Sequence, residues 1–510
     1  FSGGMMRHDS SNKGNYIEIL ELVASTQPNL FNRLRSRYGH YTSHQYQNDL
    51  IHSAAEVLRE SIVEEVRQAK YFSVLVDETK DVSKKEQLCL LLHYHRKGII
   101  QERALGCFHI ENLNAQSVSN LIIQEVQHLK FDVNYTVAQC YDAASVLSGH
   151  LTGVQTQIWE QIPHTIYVHC QAHKLNLVIA DITQCQEVFT FAQEQYIFLS
   201  SSYKYYELFV KAQQDLGQRI LELGRLCETH WSCRYNSLQT LHARYGTVLE
   251  TLEAISLQRA DGVSTITARG LSKRLKSYSF LRLLVLERIF KILNSASEEL
   301  QSKDLNISSA LELVTSNVTA LKEVRSSESK WKELCDEPEN IAKELEIAIP
   351  SQAAAIVTLG QSNMHDVPKS SQEYIKANFY SPVLDRILAE SDRRFTSNSS
   401  WLSALTACNP NSESFLDYNK LNLDAELEAA KMHTAPQKLT SIFEFRNIMN
   451  ELPSAYKSSL SIVDIVLSLP VPAASNERYF SVLKRVKDCL RSTMADGRLS
   501  DILLLASECE

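Results

Sequence analysis

Apolar positions recur at helical spacing near the start of the chain. Ile17, Leu20 and Val23 set one stripe, and Ile51, Ala54, Ala55, Leu58, Ile62 and Val66 set another, so residues 16–70 are predicted helical. The period then changes. Tyr71–Val76 is a short run of β-formers closed by Asp77, the pattern of a strand buried on both faces. Leu88–Tyr94 and Arg103–Ile110 read as two more strands, with Lys97-Gly98 as the turn signal in their connection. A helix over Ala115–Leu129 follows, then a fourth strand over Tyr135–Tyr141 ending at Asp142. A helix over Val146–Ile162, a fifth strand over Thr165–His169 and a helix over Ala172–Ile182 complete this part.

Beyond about residue 185 the strand signal vanishes. Leu238, Leu241, Tyr245, Leu249, Leu252 and Ile255 keep helical spacing, as do Leu311, Val314, Val318 and Leu321. An all-helical region over 185–440 is expected, with polar breaks near 361–372 and 396–414 and no internal repeat. The chain closes with the apolar run Ile462–Leu469, the turn Pro470-Val471-Pro472 and a helix from Ala474 to Leu490. Three strands joined by short turns, then alternating helices and strands, give an α/β fold with a mixed sheet. The ribonuclease-H-like topology is one of several that fit the order.

At 510 residues and 44% hydrophobic content, the chain can bury a sizeable core and hold several domains. Its most apolar window, Phe280–Ile292, is interrupted by Arg282, Glu287 and Arg288 and falls short of a membrane span. No secretory signal is visible, and a chain starting at Phe1 is expected to be a fragment. Eleven cysteines without a Cys-x-x-Cys pair suggest reduced thiols of the cytosol or nucleus, most of them small apolar core residues.

The net charge of −8 argues mildly against nucleic acid as partner, but averages hide local fields. Arg269–Lys291 holds seven basic residues against the single acid Glu287. Arg33, Arg35 and Arg37 form a second stretch, and Lys484–Arg491 a third with four basic residues against Asp488. Lys273, Arg274 and Lys276 are candidates for phosphate contact, although solvated helix faces explain such stretches as simply.

Asp77 and Asp142 share a context, because each directly follows an apolar strand at its C-terminal end, where binding crevices form in open α/β sheets. Two carboxylates brought close together disfavour each other's ionisation unless a cation lies between them. Oxygen-only ligands suit Mg²⁺ or Mn²⁺, and a pair of such ions serves phosphodiester cleavage. A helix cap or a strand-end turn accounts for either aspartate taken alone.

Four blocks of the chain together resemble the hAT superfamily of DNA transposases. The likeness is to the branch found in zinc-finger MYM-type proteins and in a THAP-containing repressor. Tyr71–Gln87 (YFSVLVDETKDVSKKEQ) resembles the first catalytic block and Gln139–Gly153 (QCYDAASVLSGHLTG) the second, with Ala143 where this branch usually has Gly. Val168–Leu177 (VHCQAHKLNL) matches a Cys-x-x-His block through Cys170 and His173, and Pro472–Ser481 (PAASNERYFS) opens a region resembling the C-terminal hAT dimerisation region. A fifth match, Thr229–Arg234, has His230 where the family usually has Arg.

The resemblance implies a ribonuclease-H-like core split by the helical insertion. Residues 66–184 would form its first part, 441–510 its completion and dimerisation region, and 1–65 a helical segment for dimerisation or DNA contact. Asp77, Asp142 and Glu477 would form a DDE-type acidic triad holding two Mg²⁺ or Mn²⁺ ions. His173 would contact the scissile phosphate or order the site; Cys170, Trp231 and Arg234 would contact DNA, and Trp231 would stack on a flipped base. A zinc site at Cys170, His173 and His169 lacks a second ligand pair at finger-like spacing.

The function implied is a nuclear transposase. It would cleave double-stranded DNA at element ends, leave a hairpin on the flanking DNA and join the end to target DNA, as a homodimer or larger homo-oligomer away from membranes. The alternative is a domesticated derivative that binds DNA or protein in the nucleus without cleavage. The C-terminal Leu499, Ile502, Leu503 and Leu505 would fit a surface that needs a partner.

Overall fold

In the computed structural model of the chain, the described residues are 15–34, 41–141, 145–149, 152–180, 182–226, 231–257, 262–302, 305–344, 371–395, 441–471, 474–488 and 491–508, with scattered positions between 405 and 439. They divide into two compact units, Phe1–His169 with Met449–Glu510, and Cys170–Ile448.

The first unit holds a five-stranded mixed sheet: β1 (Phe72–Lys80), β2 (Glu86–Arg96), β3 (Ile99–His109), β4 (Thr136–Tyr141) and β5 (Ile166–His169), in the order β3-β2-β1-β4-β5. β1, β2 and β3 pair antiparallel, whereas β4 runs parallel to β1 and β5 parallel to β4. This arrangement is compatible with the ribonuclease-H-like topology. The β2–β3 turn is Lys97-Gly98, with φ of 51° and 83°, the doubly positive geometry whose twist matches that of the flanking strands.

Helices α1 (Asn15–Thr26), α2 (Pro28–Leu34) and α3 (His44–Ala69) precede the sheet, so the predicted helical stretch is broken at Pro28 and again before Ser43, which caps α3. α4 (Ala115–His128), α5 (Ser145–Ser148) and α6 (Val154–Gln161) connect the parallel strands. The predicted helix over Val146–Ile162 is thus two pieces, because the chain stops at Gly149 and restarts at Gly153.

Alternation along the strands sorts their side chains onto two faces. Leu88, Leu90, Leu92 and Tyr94 lie on one, with Phe72, Val74 and Val76 of β1 beside them. That face meets α3, α4 and α6: the Tyr94 hydroxyl donates to Glu65 at 2.6 Å, Phe72 packs on Phe131, and Val74 joins Ile122, Val126 and Ile158 in the core. The other face carries Ser73, Leu75, Asp77, Cys89, Leu91, His93 and His95. It is covered by the returning end of the chain, α19 (Lys457–Leu467) and α20 (Ala474–Val486). The Ser73 hydroxyl donates to the Ser468 carbonyl at 2.6 Å, and His95 Nδ1 lies 3.3 Å from Asp464. With both faces covered, β2 is buried along nearly its whole length, and expected core thiols such as Cys89, Cys107 and Cys140 are buried with it.

β1 departs from its predicted end. It continues through Asp77 to Lys80 because β2 pairs with it as far as Glu86, which gives the polar residues 78–80 a ladder to follow. Only the parallel pairing with β4 stops early, at Leu75 opposite Cys140.

The last helix, α21 (Asp496–Glu508), guards the sheet edge. β3 is an edge strand whose outward N–H groups would invite another chain. Ser500 Oγ accepts from Cys107 N at 3.0 Å, Glu508 Oε1 accepts from Ala104 N at 2.9 Å, and Arg59 of α3 donates to the Leu105 carbonyl. The close approach needs a glycine, since a Cβ on Gly106 would sit 2.7 Å from Ser500 Oγ. Leu499 and Leu503 are fully buried here, against β3 and α3. The expectation that they need a partner subunit is therefore corrected: the chain covers them itself. Ile502 and Leu505 are half-buried.

The second unit is helical in its described residues. It contains α7 (Gln171–Ala180), α8 (Thr183–Ser200), α9 (Tyr203–Asp215), α10 (Trp231–Ala243), α11 (Tyr245–Leu257), α12 (Gly262–Leu275), α13 (Tyr278–Leu300), α14 (Ile307–Ser326), α15 (Glu328–Glu344), α16 (Ser371–Ile375), α17 (Ser381–Phe395) and α18 (Ile442–Met449). α13 holds the apolar window Phe280–Ile292. Buried residues run along its length, and α8, α10, α12, α14 and α15 pack around it, as expected of a helix apolar on several sides.

Candidate functional site

Asp77 lies on the sheet face covered by α19 and α20, in line with Ser73 and Leu75 and opposite Cys89 of β2. It is half-buried, and its Oδ1 accepts from the Glu78 N–H at 2.9 Å. On the neighbouring strand Cys140 stands beside Leu75, and β4 ends at Tyr141. Asp142, next in the chain, lies outside the described residues. So do Ala143 and His230.

Glu477 sits in the first turn of α20, where the helix dipole favours a carboxylate. α20 packs on β1 and β2 with Asn476, Tyr479, Phe480, Leu483 and Lys487 buried at helical spacing, while Glu477 is half-buried and Arg478 and Ser481 are exposed. α20 therefore covers the face of the sheet that carries Asp77. Asn476 is fully buried, yet its side-chain amide has no hydrogen-bond partner among the described residues.

Two polar anchors bracket this part of α20, and neither was visible in the sequence. At its start, Ser475 hydrogen-bonds to Glu102 of β3, Arg478 lies 3.9 Å from the same carboxylate, and His93 Nδ1 stands 3.0 Å from its other oxygen. Burial of Glu102 opposes its charge, but the His93 and Ser475 contacts outweigh it and hold the carboxyl below its usual range. At the end of α20, Lys487 Nζ donates to Asp81 Oδ2 at 2.6 Å, and both side chains are inaccessible to solvent. Asp81 Oδ1 also accepts from Ser83 N and Lys85 N, and Oδ2 from Gln87. Desolvation pushes the Asp81 carboxyl up, and the Lys487 bond with these other donors pulls it below its ordinary value. Lys487 counted as part of a basic stretch in sequence, but it is spent internally.

Among the described residues no group of three or more His, Cys, Asp or Glu could hold a metal, with Asp142 outside that set. Asp77 and Glu477 supply two carboxylates to one side of the sheet, and an all-oxygen donor set fits a hard divalent cation.

The remaining expected residues fall in the helical unit. Cys170 is buried ahead of α7; its Sγ accepts from the His173 N–H at 3.5 Å and its carbonyl from the Lys174 N–H at 2.9 Å. The Cys-x-x-His spacing thereby caps a helix, the sulfur doing what a Ser or Asp does elsewhere. The His173 ring is half-buried. Trp231 opens α10, but its side chain lies outside the described residues. Arg234 is buried, with its guanidinium 5.2 Å from the centre of the Phe189 ring.

The basic stretch of α12 and α13 is matched by acids from other helices. Arg274 pairs with Glu194 and stacks on Phe191, Lys276 Nζ lies 2.5 Å from Glu253, and Arg282 lies 2.6 Å from Glu187. Lys273 is exposed. Of the second basic stretch, Arg33 stacks on Tyr41 at 5.6 Å, while Arg35 and Arg37 lie outside the described residues.

Known proteins place this geometry in context. Residues 1–153, which include Asp77 and Asp142, match the family described as the ZMYM1/FAM200, RNase-like domain (DUF4371). The chain is 22% identical over 517 residues to the human (Homo sapiens) protein named 52 kDa repressor of the inhibitor of the protein kinase, covering 91% of this chain and 65% of that protein. Its mouse (Mus musculus) counterpart is 22% identical over 516 residues with the same coverage. The chain thus spans about two thirds of the length of these relatives, and the first part of its sheet is similar to an RNase-like domain.

Proposed function

We propose that the chain is a nuclear regulator derived from a hAT transposase, whose ribonuclease-H-like core, interrupted by the helical unit, binds DNA or protein without cutting it. The observation that carries this reading is the likeness over 91% of the chain to a protein named as a repressor. Electrostatics support it. Strong phosphate binding needs many cations available to displace counterions. Here Arg274, Lys276 and Arg282 already face carboxylates on a chain of net charge −8. Any DNA contact through this surface falls to exposed groups such as Lys273. Assembly as a homodimer or larger oligomer belongs to the same proposal. Among the described residues no helix is long and apolar enough to cross a membrane.

A second reading is DDE-type DNA strand cleavage and transfer. It is supported by Asp77 on the face that α20 covers and by Glu477 in the first turn of that helix. When bound, a pair of Mg²⁺ or Mn²⁺ ions supplies an activated water and neutralises charge at a phosphodiester. Asp77, Asp142 and Glu477 would hold them, β1 fixing the first carboxylate and α20 the last. His173, Cys170, Trp231 and Arg234 keep their family-implied roles in that reading only.

Purified chain incubated with plasmid and end-repeat DNA in Mg²⁺ or Mn²⁺ separates the two. The regulator reading expects no nicking, and DNA or partner binding unchanged in Asp77→Asn. Mn²⁺-dependent nicking that is lost in Asp77→Asn would overturn it in favour of the second.

A further inference from the structure

We infer that Asp81 and Lys487 form a positioning pair that fixes α20 in one register on the sheet and so sets Glu477 against the Asp77 face, with Glu102 holding the opposite end of the helix through Ser475 and Arg478. The inference rests on the second reading above, in which Asp77, Asp142 and Glu477 would hold divalent cations.

The apolar contacts of α20 cannot do this alone. Tyr479, Phe480 and Leu483 bury area against the sheet, but the hydrophobic effect is non-directional and tolerates a slide or a rotation. A buried ion pair does not. It adds little stability over apolar residues of the same volume, yet a register that separates its partners leaves two charges stranded without water.

Asp81 is a ready-made socket. Three donors besides Lys487, from Ser83, Lys85 and Gln87, fix its two oxygens, so the ammonium has one place to go. The socket belongs to the loop that closes β1 onto β2, the same strand pair that presents Asp77 opposite Cys89. Glu102 repeats the device at the other end, its carboxylate fixed by His93 on the adjacent strand. Glu477 lies between the anchors, two residues beyond Ser475 and ten before Lys487. These anchors act on Glu477 through the placement of the helix that carries it.

The test is Mn²⁺ binding to the full chain, followed by electron paramagnetic resonance, with circular dichroism as the check of folding. Asp81→Asn/Lys487→Met removes both charges together, so no lone charge is left buried. Ser475→Ala loosens the other anchor with a smaller change, and Glu477→Gln marks the ligand itself. The expected result is a weaker Mn²⁺ affinity in the double variant and a smaller loss in Ser475→Ala, both folded. Wild-type affinity in both folded variants, with Glu477→Gln weakened, overturns the positioning role and leaves the ligand reading standing. A wild-type chain that binds no Mn²⁺, or binds it equally well as Glu477→Gln, overturns the ligand reading and the inference with it.

Discussion

Two charged regions of this molecule look alike in sequence and behave differently in structure. On the helical unit, Arg274, Lys276 and Arg282 pair with Glu194, Glu253 and Glu187 at positions that keep contact with water. On the sheet unit, Lys487 and Asp81 pair with no access to water at all. Charge runs in a sequence record only which groups are present. Whether a charge forms an external field or an internal fastening depends on counterions brought from elsewhere in the chain. The difference in solvation sets the energetics, because screening leaves exposed pairs worth little and desolvation makes a broken buried pair expensive.

The sharpest way to break the contrast is Lys487→Met alone. It strands the Asp81 carboxylate in the interior and should destabilise the sheet unit by about 3–5 kcal/mol, measured by urea unfolding with a probe in β1 or α20. Next comes Leu503→Ala, which empties a fully buried position under α21. A loss of about 2–5 kcal/mol is expected with no change in oligomer size by light scattering. A change in oligomer size instead would restore the partner-surface reading of the terminus.

Acid should act on the sheet unit through the two depressed carboxyls, Asp81 and Glu102. Their folded values lie below their unfolded ones, so their stabilisation is complete above the usual carboxylate range. It is lost as pH falls below about 4, through the folded values. Stability followed across that window should fall less steeply in Asp81→Asn/Lys487→Met than in the natural sequence. At the small end, Arg274→Gln and Lys276→Gln should each shift stability by less than about 1 kcal/mol, with the effect shrinking further in salt.

The sheet was largely legible because its signals are local. Strand periodicity, the Lys97-Gly98 turn and the apolar runs ending near Asp77 and Tyr141 are all written within a few residues. β1 was expected to close at Asp77, but the partner strand carries the polar residues Glu78, Thr79 and Lys80 onward. Glu477 was reachable only through resemblance, since nothing near it in sequence announces that α20 returns to the sheet. The anchors were out of reach altogether. Asp81 and Lys487 are 406 positions apart and Glu102 and Ser475 373, and each residue has an ordinary local explanation. The counterion of Arg274, 80 positions away, was hidden for the same reason. The edge cover by α21 was misread because apolarity alone cannot tell a helix that meets its own sheet from one that meets another subunit.

Whether a buried charge pair fastens the returning helix to the sheet is decided by a double-mutant cycle on Asp81 and Lys487. Unfolding free energies of the natural sequence, Asp81→Asn, Lys487→Met and the double variant should show the two single losses failing to add. A coupling of about 2–3 kcal/mol is expected, with the double variant more stable than Lys487→Met alone. Single losses that add to within about 0.5 kcal/mol would show that Asp81 and Lys487 do not act as a fastening pair.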